Sequence, residues 1–123
     1  MKNKTGALAL LALTALAAAP ASAADDGGQI FKRYCVVCHS AEAGQNKVGP
    51  SLAGIVGRAS GEEGGFTYSQ AMESAHLTWD EKTLDRYLTD PKSVVPGTKM
   101  LFPGLKNADE RHALIDYLKS LKS

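Results

Sequence analysis

The chain has 123 residues, 22% of them charged, with 14 basic and 13 acidic side chains and a formal net charge of +1. That length bounds it to one small domain, and so even a charge balance excludes a basic field for gripping nucleic acid or an anionic membrane. Only two cysteines are present, too few for a disulfide-stapled scaffold, so their placement carries the information.

The first stretch stands apart. Lys2 and Lys4 form a basic start, Gly6 to Ala19 an apolar run, and Pro20-Ala21-Ser22-Ala23 a small-residue cleavage pattern. This is the layout of a secretory signal, residues 1–23, cut after Ala23; the apolar run is short for an uncleaved membrane anchor. Residues 1–23 hold two lysines and no acid, so 12 cations and 13 anions remain in residues 24–123, a net charge of −1. Export into an oxidising compartment, the periplasm of a bacterium, is the expected address. A domain of this size buries a thin core from side chains alone and gains from a cofactor at its centre.

From Asp26 to about Val37 the pattern predicts a helix, capped by Asp26 with Gln29 at its third position and presenting Ile30, Phe31 and Tyr34 on one face. Its end delivers Cys35-Val36-Val37-Cys38-His39. This C-x-x-C-H spacing is that of covalent c-type haem attachment. Residues i and i+3 at a helix end project from one face, so both thiols can add to the two vinyl groups of one porphyrin, and the next imidazole can ligate the iron. A thioredoxin-like pair needs a βαβ setting that this chain lacks. Zinc wants four ligands, yet His76 and His112 stand far off, and a plain disulfide leaves His39 unexplained.

Residues 40–69 are rich in glycine and neither alternate like a strand nor repeat like a helix; they predict an irregular loop wrapped on a cofactor. A short helix follows over Ser69–Ser74. Thr78-Trp79-Asp80-Glu81 then reads as a capping box opening a helix to about Thr89, with Leu84, Tyr87 and Leu88 inward. Pro91 to Met100 predicts a rigid loop rather than a tether, stiffened by Pro91, Pro96 and Gly97. Asn107 caps a last helix with Glu110 at its third position and Leu114, Ile115, Leu118 and Leu121 as the buried stripe. The expected fold class is all-α, four to five helices with long loops around one covalently bound haem.

One histidine leaves the far side of an iron open, and Met72, Met100, His76 and His112 are the available donors. His76 and His112 read as solvated and Met72 as core filler; Met100 sits in the stiffened loop, but spacing alone does not decide for it.

Gly27-x-x-x-Phe31, Cys35-x-x-Cys38-His39, Gly49-Pro50-x-Leu52, Gly57-Arg58, Phe66-x-Tyr68, Thr78-Trp79, Leu84-x-x-Tyr87-Leu88, Pro96-Gly97-Thr98-Lys99-Met100-x-Phe102 and Leu114-Ile115-x-Tyr117-Leu118 occur in this order. Together they resemble a class I cytochrome c of the mitochondrial and alphaproteobacterial type over essentially all of residues 24–123. The resemblance implies a class I cytochrome c fold, with Met100 as distal ligand opposite His39. It implies that the Pro50 carbonyl accepts from the far ring nitrogen of His39, and that Gly27 and Phe31 meet Leu114 and Tyr117 where first and last helices cross. It further implies that Arg58, Tyr68 and Trp79 bond a haem propionate, that Tyr87 and Thr98 lie near the Met100 sulfur, and that Leu52, Leu88, Phe102 and Leu118 pack on the ring.

Arg33, Lys47, Lys92, Lys99 and Lys106 match positions of the family's partner-docking ring, which is thinner here. The segment from His39 to Pro50 is one residue shorter than in common mitochondrial members, and Met72 stands where many carry asparagine. The function so implied is a soluble, monomeric periplasmic electron carrier, not an enzyme. It would pass electrons from a cytochrome bc-type complex to a terminal oxidase or photosynthetic reaction centre. An accessory electron acceptor for one dehydrogenase or reductase, and a ligand sensor or weak peroxidase, are the alternatives.

Overall fold

The computed structural model describes residues 1, 6–17 and 26–123. Lys2, Lys4 and the cleavage pattern at residues 20–23 lie outside the described residues. Residues 6–17 are exposed and form no helix. No helix among the described residues is long and apolar enough to cross a membrane.

Five helices follow: α1 Gly27–Tyr34, α2 Gln70–Glu73, α3 Glu81–Thr89, α4 Pro91–Val94 and α5 Ala108–Ser120. Among the described residues there is no sheet, only an isolated bridge between Ala59 and Thr78. This is the all-α, loop-rich arrangement read from the sequence. α5 packs on both α1 and α3, and α4 packs on α3.

Local chemistry sets the ends. Asp26 accepts the Gln29 N–H at 2.9 Å to start α1, and Asn107 accepts the Glu110 N–H at 3.1 Å to start α5. α1 ends at Tyr34, three residues short of Val37, because the ladder widens there: both Cys35 N and Val36 N donate to the Phe31 carbonyl. A closed turn succeeds it, with Cys38 N and His39 N both donating to Cys35 O. The attachment motif is therefore carried on a tight turn rather than on the helix itself.

Two other boundaries differ from expectation. The α3 cap is Asp80, which accepts the Thr83 N–H at 2.7 Å, not Thr78. Thr78 is held by its bridge to Ala59, and the neighbouring Trp79 exchanges backbone bonds with Gly57 and Arg58. That pairing keeps this backbone extended up to Asp80. The segment after Pro91 is also not wholly loop, since Pro91–Val94 form one helical turn closed by Val95 N on Pro91 O at 2.9 Å. Proline is compatible with a first helical position, where its missing N–H has no intrahelical duty.

The core joins Ile30 and Phe31 of α1, Leu84, Tyr87 and Leu88 of α3, and Leu114, Ile115 and Leu118 of α5, with Ile55, Trp79, Val95 and Leu105 from the loops. Each such side chain contributes roughly 1.5–3 kcal/mol by leaving water. α1 and α5 cross with backbones in contact: a Cβ on Gly27 would lie 2.0 Å from the Ala113 carbonyl oxygen and 2.5 Å from Tyr117 Cβ. Phe31 and Tyr117 pack beside the crossing at 5.4 Å between ring centroids. Arg111 braces α5 from below, donating to Asp85 Oδ1 at 2.8 Å and to the Leu105 and Lys106 carbonyls at 3.0 Å.

Candidate haem site

The turn after α1 places His39 against a second segment. His39 Nδ1 donates to the Pro50 carbonyl at 2.7 Å, which assigns the ring proton to Nδ1 and leaves the Nε2 lone pair free. The same segment is pinned to the motif by Gly49 N on Cys38 O at 2.7 Å and Leu52 N on Ser40 O at 2.9 Å. Gly49 is buried under the imidazole, where a Cβ would sit 2.3 Å from His39 Cε1 and 2.7 Å from Nδ1. Burial lowers the His39 pKa most, opposed by the Pro50 bond and assisted by the nearby Lys47 charge, so the ring is neutral and basic at Nε2 at neutral pH.

Cys35 and Cys38 are half-buried and unpaired with each other. Burial, then the neighbouring Cys38, pushes the Cys35 thiol up to about 11. No group of three or more His, Cys, Asp or Glu that could hold a metal ion stands together among the described residues.

Beyond Pro50 the long loop is organised by one guanidinium. Arg58 donates from Nη1 to Ser51 O at 2.9 Å and from Nη2 to the Ala53 carbonyl, and its Nη2 pairs with Glu63 Oε2 at 3.1 Å. Tyr68 accepts the Glu63 N–H at 3.0 Å, and burial raises its pKa most. Asn46 ties the two ends of this loop, accepting from Ser51 N and donating to Gly64 O. Trp79 is buried, with its ring 4.8 Å from that of Tyr87.

Met100 is half-buried and packs on the core together with Cys35, Leu52 and Phe102. Thr98 anchors its backbone: Met100 N donates to Thr98 Oγ1 at 3.3 Å, and the same hydroxyl meets Tyr87 Oη at 3.1 Å. Burial raises the Tyr87 pKa, so the phenol stays neutral. Phe102 packs on Tyr34 at 5.9 Å, linking this strap to the end of α1. Met72 also touches the core, from α2, whereas His76 and His112 are exposed. Leu88 and Leu118 are buried in the same core, between α3 and α5.

Several residues here carried no legible sequence signal. Glu63 is one of two adjacent glutamates in a polar loop, and Asn46 and Ser51 read as ordinary loop residues. Only the contacts with Arg58 and the Pro50 segment single them out. Of the five cations matched to a docking ring, Lys47 reaches the Val36 carbonyl and Lys106 the Thr89 carbonyl, each at 2.5 Å. Arg33 lies 3.7 Å from Glu110 and over the Tyr34 ring, while Lys92 and Lys99 are exposed.

Two half-buried thiols beside an imidazole with a directed, unprotonated Nε2, walled by apolar core residues, fit a haem. The cradle made by the missing Gly49 side chain seats that imidazole. Fold and donor set together define a protein with one haem c, covalently attached through Cys35 and Cys38.

The cytochrome c family profile matches residues 24–122, and the chain belongs to the cytochrome c family. It is 58% identical over 88 residues to cytochrome c2 iso-2 of Magnetospirillum molischianum, covering 72% of this chain and 91% of that protein. It is 49% identical over 108 residues to cytochrome c of Chlamydomonas reinhardtii, covering 87% and 96%. Among solved structures, cytochrome cH from Methylobacterium extorquens superposes with a TM-score of 0.71 at 42% identity, covering 76% of this chain and 94% of that one. The fold is that of class I cytochromes c and the protein is an electron carrier.

Proposed function

We propose that residues 24–123, freed of the leader 1–23, work in the periplasm as a monomeric shuttle between a cytochrome bc-type complex and a terminal oxidase or photosynthetic reaction centre. In this reading His39 and Met100 would hold the haem iron. The carrying observation is the His39 Nδ1–Pro50 bond over Gly49, which commits one ring nitrogen and presents the other as a base. The haem, when bound, supplies a reversible one-electron couple.

The protein's own groups tune and protect that couple. The Pro50 carbonyl raises the basicity of His39 and fixes its ring plane. Thr98, bonded to Met100 N and to Tyr87, holds the thioether strap with few degrees of freedom. The apolar wall of Leu52, Leu88, Phe102 and Leu118 disfavours extra positive charge, which raises the reduction potential. Arg58, Tyr68 and Trp79 are assigned to a haem propionate. Arg33, Lys47, Lys92, Lys99 and Lys106 are assigned to partner docking through brief, charge-guided encounters. With His39 and Met100 both holding the iron, the site would offer no place for substrate, so this reading makes the protein an electron carrier and not an enzyme.

A redox titration followed by optical spectrum, on protein matured with a haem-attachment system, tests this reading. A single one-electron wave, a ferrous form that does not bind carbon monoxide and a near-infrared methionine-to-iron band are expected. Ready carbon monoxide binding would overturn the assignment of Met100 and favour a ligand sensor.

A further inference from the structure

Among the described residues, Glu63 and Arg58 form the least exposed carboxylate–guanidinium pair, at 3.1 Å with side chains 16% and 12% exposed. The same guanidinium donates to the Ser51 and Ala53 carbonyls. Those carbonyls belong to the stretch directly after Pro50, whose own carbonyl orients His39. A chain of direct contacts therefore runs from the Glu63 carboxylate through Arg58 to the backbone that sets the imidazole. Glu62, its neighbour, is exposed and has no part in this chain.

We propose that Glu63 is a positioning residue for the His39 side of the haem site: its carboxylate locks Arg58 onto the 51–53 backbone and balances the guanidinium charge there. This rests on His39 being the iron's imidazole ligand. Two consequences share a sign. Without the carboxylate, the Arg58 guanidinium loses one of its two counter-charges, the other being the haem propionate assigned to it, and the added net positive charge in a poorly solvated loop favours the reduced, less positive iron. A loosened 50–53 segment also weakens the bond from His39 to Pro50, and a less basic imidazole stabilises the oxidised form less. Both raise the reduction potential. Tyr68 accepts from Glu63 N, and Asn46 ties Gly64 to Ser51 beside it; neither side chain carries a negative charge that could replace the carboxylate.

The test compares E63Q, E63D and E62Q in the haem-loaded protein by redox titration and by NMR exchange of the His39 Nδ1 proton. At a fixed ambient potential, E63Q is expected to raise the reduced-to-oxidised ratio several-fold and to speed that exchange. E63D, which keeps the charge but withdraws it by one methylene, falls between E63Q and the parent, and E62Q matches the parent in both readouts. If E63Q does not accumulate, E63D measured against E62Q decides by the same criteria. Equal shifts in E62Q and the Glu63 variants would overturn the proposal, leaving only a general charge effect, as would parental values throughout. A parent protein whose spectrum lacks imidazole ligation would instead overturn the His39 assignment beneath it.

Discussion

Gly49 lies so close beneath His39 that a single methyl group there would stand 2.3 Å from the imidazole Cε1. The ring cannot retreat freely, because its Nδ1 is bonded to the carbonyl of the very next residue, Pro50. Gly49 also donates its N–H to Cys38 O, so backbone movement would strain the attachment turn. Gly49→Ala should therefore cost about 1–3 kcal/mol in stability, the usual range for overpacking, and should perturb the haem optical spectrum. Thermal unfolding with absorbance of the oxidised protein checks both; a parental spectrum and transition would show that the imidazole moves without penalty.

Replacing the strap's sulfur separates assembly from tuning. Met100→Ala leaves Cys35 and Cys38 untouched, so covalent haem should persist by mass. The reduction potential should fall by on the order of 0.1 V or more, given the span of about 0.8 V that axial ligands cover. The ferrous variant should bind carbon monoxide. Retention of the near-infrared methionine-to-iron band in Met100→Ala would move the assignment to Met72, the other methionine packed on the core.

The α1–α5 crossing makes a sharper demand than the packed side chains around it. A Cβ on Gly27 meets the Ala113 carbonyl at 2.0 Å and the backbone-proximal Tyr117 Cβ at 2.5 Å, so no flexible side chain can yield. Gly27→Ala should cost about 3 kcal/mol, the upper part of the overpacking range. Gly28→Ala makes a milder contact, 3.2 Å from Asp26 Oδ1, and should cost much less. Denaturant unfolding of the two variants, at matched haem content, measures the contrast.

Much of this was legible in the residues because the signals were local and covalent. C-x-x-C-H carries its chemistry in its spacing, and the Asp26 and Asn107 caps declare themselves by their partners three positions on. The Thr78 cap was misplaced for a non-local reason, a bridge to Ala59 across nineteen positions of chain that no window around Thr78 reveals. The α4 turn was missed because Pro91 signals a break after α3 and a start of α4 with the same ring. Glu63 was invisible for a related reason: its meaning depends on where Arg58 points, and that is set by the Ser51 and Ala53 carbonyls.

The Asp80 cap gives a pH signature. Its pKa is lowered, first by the Thr83 backbone N–H that it accepts and then by the Thr83 side chain, with Arg86 and Lys82 adding smaller attraction. The folded value thus lies below the unfolded one, near 3.9 for a free aspartate. The charged cap's contribution is then fully present above the unfolded value and disappears as pH falls through the folded one. Asp80→Asn keeps an acceptor for Thr83 N but removes the charge that favours a helix N-terminus. The stability difference between parent and variant should stay constant from neutral pH down to about 5 and shrink below it. Urea unfolding at a series of pH values gives that difference directly. A gap that persists unchanged well below the free-aspartate range would mean that the cap acts by shape alone.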